Sequence, residues 1–186
     1  MRRELLGVTD HFAALGVARS SWLDADELKD RFHRLGAQHH PDAPGGSGPA
    51  FTDINAAWQT LREPAKCLRH YLELEHPGAI ATAGPIPTEL ADLFMDIAAF
   101  RSAAQRFAAR LAAASSPLAR ALLEPERLTL RAQLEKLTVT VAGRTSSLLA
   151  ALRRADATPP YLADLLASLT YLGNWSAHLA ETRLDL

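Results

Sequence analysis

The stretch Asp24-Ala25-Asp26-Glu27-Leu28-Lys29-Asp30-Arg31-Phe32-His33-Arg34-Leu35-Gly36-Ala37-Gln38-His39-His40-Pro41-Asp42 decides how the rest of the chain is read. Asp24 can accept hydrogen bonds from the free amides of a helix start. Glu27 follows three residues later as a capping-box partner, and Leu23 and Leu28 flank the start like a hydrophobic staple. Leu28, Phe32 and Leu35 recur at i, i+4 and i+7, which is one face of a helix. Pro41 biases its predecessor away from helical geometry, so this helix ends near His40. Its acids (Asp24, Asp26, Glu27) come first, and Lys29, Arg31 and Arg34 follow, with His33 and His39 beside them. That order complements the helix dipole. It also makes Lys29, Arg31, His33 and Arg34 a candidate outward basic face for an acidic partner, and the pattern itself does not choose between the two.

Working outward, helical periodicity continues nearly everywhere, and the two-residue alternation of strands is absent. A first helix is expected from Asp10 through Leu15, stopped by Gly16. Ala43-Pro44-Gly45-Gly46-Ser47-Gly48 reads as a loop, and Pro49 suits the first turn of a third helix. That helix carries Ile54, Ala57, Trp58 and Leu61 on one face. Pro64 ends it and opens a fourth helix through Leu74, with Cys67, Leu68 and Tyr71 inward. Residues 77–87 form a linker rich in Pro and Gly. Beyond it, Leu90, Leu93, Ile97, Phe100, Ala104, Phe107 and Leu111 repeat at steps of three and four. Leu130, Leu134, Leu137, Val141 and Leu148 continue the spacing, with Arg144 interrupting the apolar set, and Leu162, Leu165, Leu169 and Leu172 repeat it after Pro159-Pro160. Three such seams predict an antiparallel three-helix bundle. The chain is therefore read as all-α, with one domain over 1–76, the linker over 77–87 and the bundle over 88–186.

Composition narrows the function classes. The 186 residues carry 20 Lys+Arg against 21 Asp+Glu, a formal net charge of −1, which gives no general footprint for nucleic acid or anionic membrane. The apolar fraction of 48% is enough for a real core. A lone cysteine, Cys67, excludes an internal disulfide framework and any thiolate-rich metal or cluster site within the chain. It reads as a buried thiol acting as a small hydrophobe. No run approaches the length of a membrane span, and Met1-Arg2-Arg3-Glu4-Leu5-Leu6-Gly7 lacks the apolar core of a signal peptide. A reducing, cytoplasmic setting is the expectation. All histidines but His178 precede residue 77, yet His33, His39 and His40 do not share one helical face, so no metal site is expected. No nucleophile, phosphate-loop or dinucleotide motif occurs. The chain is expected to be no enzyme itself and to need no cofactor.

His40-Pro41-Asp42, at the end of a basic amphipathic helix and between two helices of a four-helix run, resembles the HPD motif of J-domains. These are co-chaperone modules that stimulate ATP hydrolysis by DnaK-type chaperones. The resemblance narrows to the HscB type. Asp10-His11-Phe12-Ala13-Ala14-Leu15 is similar to that family's opening. Ile54-Asn55-Ala56-Ala57-Trp58-Gln59-Thr60-Leu61 is similar to its third-helix signature, and Pro64–Leu74, with Arg69, Tyr71 and Leu72, to its fourth helix. A three-helix bundle after a short linker is the family's architecture.

The resemblance implies a co-chaperone of iron–sulfur cluster assembly. His40, Pro41, Asp42, Lys29, Arg31, Arg34 and His33 would engage a DnaK/HscA-type ATPase chaperone. Phe94, Met95, Asp96, Ala98 and Tyr171 on the bundle would hold an IscU-type scaffold as client. The chain departs from the family at His39 and Ala43 around the HPD tripeptide. It departs again at Ala99, Ser102 and Arg106, which stand where acids are common. A J-like adaptor whose bundle binds a different protein, outside cluster assembly, is the alternative reading.

Overall fold

The computed structural model describes residues 9–42, 47–80, 86–154 and 158–185. Residues 43–46 of the expected Ala43–Gly48 loop, the middle of the expected linker and the first residues of the chain lie outside these, and Gly48 of that loop instead opens a helix. Among the described residues the fold is helical without strands, as the periodicity predicts. The chain divides into two compact units, one of Met1–Ala83 with Leu152–Leu166, the other of Gly84–Ala151 with Ala167–Leu186.

The first unit holds α1 (His11–Leu15), α2 (Ala25–His39), α3 (Gly48–Leu61) and α4 (Pro64–Glu75). α1 is short and depends on its ends. The Asp10 carboxylate accepts from the Ala13 amide, and Gly16 closes the helix at φ 62°, a left-handed conformation that glycine adopts without steric cost. Asp24 caps α2 as expected, accepting from the amides of Asp26 and Glu27, each at 3.0 Å. α3 packs against α1, α2 and α4. Phe12, Leu15, Leu28, Ile54, Ala57, Leu61 and Cys67 form the core of this unit, with Phe32, Leu35 and Trp58 packed against it. Phe32 and Trp58 stack at 4.8 Å between ring centroids, joining the apolar faces of α2 and α3.

α4 is more deeply buried than the sequence suggests. Cys67, Leu68 and Leu72 are buried, and so is His70. The His70 Nε2 accepts the His11 backbone N–H at 3.1 Å, and its ring stacks on Phe12 at 5.4 Å. A free amide of the first turn of α1 thereby finds its partner on a helix remote in sequence. Burial and the neighbouring His11 hold His70 below the ordinary imidazole range. Arg19 completes this corner, donating to Asp10 at 2.7 Å and to Glu75 at 2.6 Å. Burial pushes the Asp10 carboxyl up, but the hydrogen bonds from Arg19 and Ala13 outweigh it, and the acid titrates below its ordinary value. Burial pushes the Cys67 thiol up to about 12, so it is neutral and inert.

The second unit is built on α5 (Ala91–Ala113), entered by a 3-10 turn at Thr88–Leu90, with the facing lengths of α7 (Glu124–Arg153) and α8 (Pro159–Asp185). Leu90, Leu93, Ile97, Phe100, Ala104 and Phe107 of the first seam are buried together with Leu130, Leu134, Leu137 and Val141 of the second. Leu172, Trp175 and Leu179 of α8 close the same core. An ion pair between Arg110 and Glu126 joins the end of α5 to the start of α7, so these two helices run in opposite directions. One element was not anticipated: a short helix, α6 (Pro117–Ala121), capped by the Ser116 hydroxyl, turns the chain between them. No helix among the described residues is long and apolar enough to cross a membrane.

Candidate functional site

The tripeptide His40-Pro41-Asp42 is placed by the two helices it separates. α2 stops at His39, and His40 leaves the helical region at φ −56°, ψ 136°, as the proline after it requires. The His40 Nδ1 accepts the Asp42 backbone N–H at 3.3 Å and lies 3.6 Å from the Asp42 Oδ2. The ring stands edge-on to Phe51 in the first turn of α3, 5.2 Å between centroids at 72°. The His40 side chain is about half exposed at 49%, and that of Asp42 almost wholly so at 91%. The result is an imidazole and a carboxylate held together at an exposed corner.

Phe51 is the residue that sequence reasoning missed. It shares a face of α3 with Ile54 and Trp58, and that i, i+3, i+7 spacing was the available signal. Its ring also reaches α2, where a Cβ added at Gly36 would meet its Cε2 at 3.9 Å. Phe51 therefore braces His40 from α3 while leaning on the last turns of α2.

The basic residues of α2 do not form the single outward face anticipated. Successive helical residues are about 100° apart, so Lys29 and His33 share one row, Arg31 and Arg34 another, and Asp30 lies between the rows. Lys29, His33 and Arg34 are exposed. Arg31 is not a free surface cation: its Nη1 donates to the Gly16 carbonyl at 2.7 Å, satisfying an acceptor at the end of α1. Arg31 thus has a structural duty that neither the dipole reading nor the partner reading foresaw.

On the second unit, Phe94 and Met95 are exposed, at 38% and 64%, as are Leu118, Leu122, Leu128 and Val139. Asp96 and Ala98 beside them are exposed as well. Tyr171 is partly buried and packed on the bundle core. The structure nevertheless brings Phe94 and Tyr171 together through Trp175, whose ring lies 6.2 Å from Phe94 and 5.9 Å from Tyr171. Trp175, read from the sequence only as a core or edge aromatic, is the buried foundation of this cluster. Further along α5, Arg106 donates to the Ser102 hydroxyl at 2.7 Å, and Arg101 is exposed. Among the described residues no group of three or more His, Cys, Asp or Glu side chains is arranged to hold a metal.

Residues 10–70 match the DnaJ domain family. The chain carries this match within its first half. Its fold over nearly the whole length is that of chaperone HscB from Vibrio cholerae, with a TM-score of 0.61 at 18% identity, covering 96% of this chain and 99% of that one. The sequence relatives named next cover less than half of this chain. The chaperone protein DnaJ of Roseiflexus sp. strain RS-1 is 37% identical over 91 residues, 47% of this chain and 24% of that protein. Protein NolC of Rhizobium fredii is 43% identical over 60 residues, 31% of this chain and 15% of that protein. The chain thus spans about a quarter or less of the length of these curated relatives. A DnaJ domain followed by a helical bundle in the HscB fold is the arrangement that the HscB-type resemblance implies.

Proposed function

We propose that this chain is a co-chaperone that stimulates ATP hydrolysis by a DnaK/HscA-type chaperone and delivers a client held on its bundle, the client being an IscU-type iron–sulfur scaffold. The observation that carries the reading is the tripeptide His40-Pro41-Asp42, braced by Phe51 and presented at the end of α2 inside a DnaJ domain. A corner of this kind acts by binding: a rigid imidazole and carboxylate contact the chaperone and favour its hydrolysis-competent conformation. Lys29, His33 and Arg34 surround the approach and steer an acidic chaperone surface. Arg31 contributes indirectly, by fixing α1 against α2. The work is done in a reducing, cytoplasmic compartment, without a bound metal or cofactor.

For the client, support comes from the exposed pair Phe94 and Met95 over the aromatic cluster of Trp175 and Tyr171. Large apolar side chains held out on a rigid helix are an interaction surface by default. Single-turnover ATP hydrolysis by the cognate chaperone, with and without the full chain, tests the first half. Titration of the full chain with the purified scaffold tests the second. Acceleration that His40→Gln abolishes is expected, together with scaffold binding that Phe94→Ala and Met95→Ala weaken. Equal acceleration by His40→Gln would refute the chaperone reading. Absence of scaffold binding would leave a J-domain adaptor with a different client.

A further inference from the structure

We propose that the cleft where α5 ends and α7 begins binds a small amphipathic carboxylate, an apolar chain or ring carrying one acid group. The inference is independent of the chaperone and client readings above. The cleft has a volume of about 950 Å³, and its apolar part is Phe107, Leu111 and Leu123. Its polar part is Arg120, Glu124 and Arg127. All six belong to the second unit. Phe107 is fully buried in the bundle core, and Leu111 and Leu123 pack against that core, so the floor is preformed. An apolar floor with a few convergent polar groups, in a cleft within about 300–1,000 Å³, is the composition of a small-molecule site.

The polar groups decide the ligand. Glu124 accepts from the Arg127 Nη2 at 2.7 Å, so that pair is neutral as a whole. The Arg127 Nε–H is buried and has no hydrogen-bond partner, a donor for which the protein itself supplies no acceptor. Arg120 differs. Its Nε donates to the Ala114 carbonyl at 3.1 Å, which anchors the guanidinium, and it forms no ion pair among the described residues. Nearby, the hydrogen bond from Arg110 holds Glu126 below the ordinary carboxylate range, and the charge of Arg106 adds to this. Four guanidinium groups, of Arg106, Arg110, Arg120 and Arg127, thus meet the two carboxylates of Glu124 and Glu126, and the surplus is positive. The planar fork of Arg120 matches one carboxylate. Glu124 in the same wall disfavours a doubly charged phosphate monoester by like-charge repulsion. The apolar floor takes the body of the ligand.

The test is an NMR titration of the full chain with decanoate below its micelle concentration, followed at the leucine methyl groups, with decanol as the uncharged control. Saturable shifts centred on Leu111 and Leu123 are expected for decanoate, with decanol bound roughly tenfold more weakly or less. Arg120 is exposed, so Arg120→Gln should keep the fold, which a thermal melt checks. It should weaken decanoate roughly tenfold, the worth of one charge-assisted hydrogen bond. Arg120→Lys, which keeps the charge and loses the fork, should fall between the two. Ala108 is exposed and lines the cleft, so Ala108→Trp should fill it and abolish binding. Equal binding of decanol and decanoate would overturn the inference, as would undiminished binding by Arg120→Gln. So would no binding at all, or shifts that spread over Leu118, Leu122 and Leu128 without saturating.

Discussion

Replacing Phe51 by alanine isolates the brace behind the HPD corner. Phe51 is only partly buried and stands outside the buried core of the first unit, so its loss leaves no deep cavity. Alanine is also the better helix former in the opening turn of α3. What the substitution removes is the edge-on contact with His40 at 5.2 Å. Aromatic pairs of this geometry contribute about 0.5–1.5 kcal/mol, so the equilibrium constant for correct placement of His40 should fall by a factor of roughly 2 to 12. His40 itself remains, so maximal stimulation of the chaperone should be nearly kept, and the co-chaperone concentration giving half-maximal stimulation should rise by up to that factor. The assay is single-turnover ATP hydrolysis across a co-chaperone titration, with circular dichroism and a thermal melt as controls. Phe51→Leu, which retains an apolar contact, should fall between the two. An alanine variant that melts like wild type and stimulates at the same half-maximal concentration would refute the brace.

Two further outcomes follow from the first unit. Because His70 titrates below its ordinary 6.5 in the folded chain, the unfolded chain takes up the proton first as pH falls. Stability is then complete above about pH 6.5 and is lost progressively as pH falls toward the folded-state value. Thermal melts followed by tryptophan fluorescence should show this loss, and His70→Gln, whose amide can still accept from His11, should flatten it. An unchanged pH profile in His70→Gln would exclude His70 as the cause. Gly36→Ala places its Cβ at an ordinary contact distance from Phe51 inside α2, so it should stabilise the first unit by about 1 kcal/mol. A raised urea midpoint is the expected readout, and a lowered one would mean that the glycine is needed for packing.

The helices were legible because their signals are local. Asp24 caps α2, Pro41 ends it and Pro64 opens α4 through interactions within a few residues, and the three-and-four spacing of Leu93, Ile97, Phe100 and Phe107 marks a buried stripe wherever that stripe packs. Sequence missed what depends on remote partners. The burial of His70 follows from an amide of α1 that needs an acceptor, fifty-nine positions away. Arg31 reads as a surface cation until the Gly16 carbonyl is seen across the α1–α2 corner. The α6 helix was signalled by Ser116-Pro117, a cap followed by proline, but five residues are too few to show periodicity. The HPD tripeptide was recognisable in its context, whereas its brace, Phe51, had only helical spacing to mark it. On the bundle, the contact of Phe94 with the buried Trp175 required three-dimensional packing.

The central claim is that this chain drives a DnaK/HscA-type chaperone through the corner built by His40, Pro41 and Asp42. The most direct measurement is the single-turnover rate of ATP hydrolysis by the cognate chaperone with saturating full-length wild type or His40→Gln. The account predicts clear acceleration by wild type and a return to the unstimulated rate with His40→Gln, both proteins having the same helicity and thermal midpoint. No acceleration by wild type, or equal acceleration by the folded variant, would contradict it.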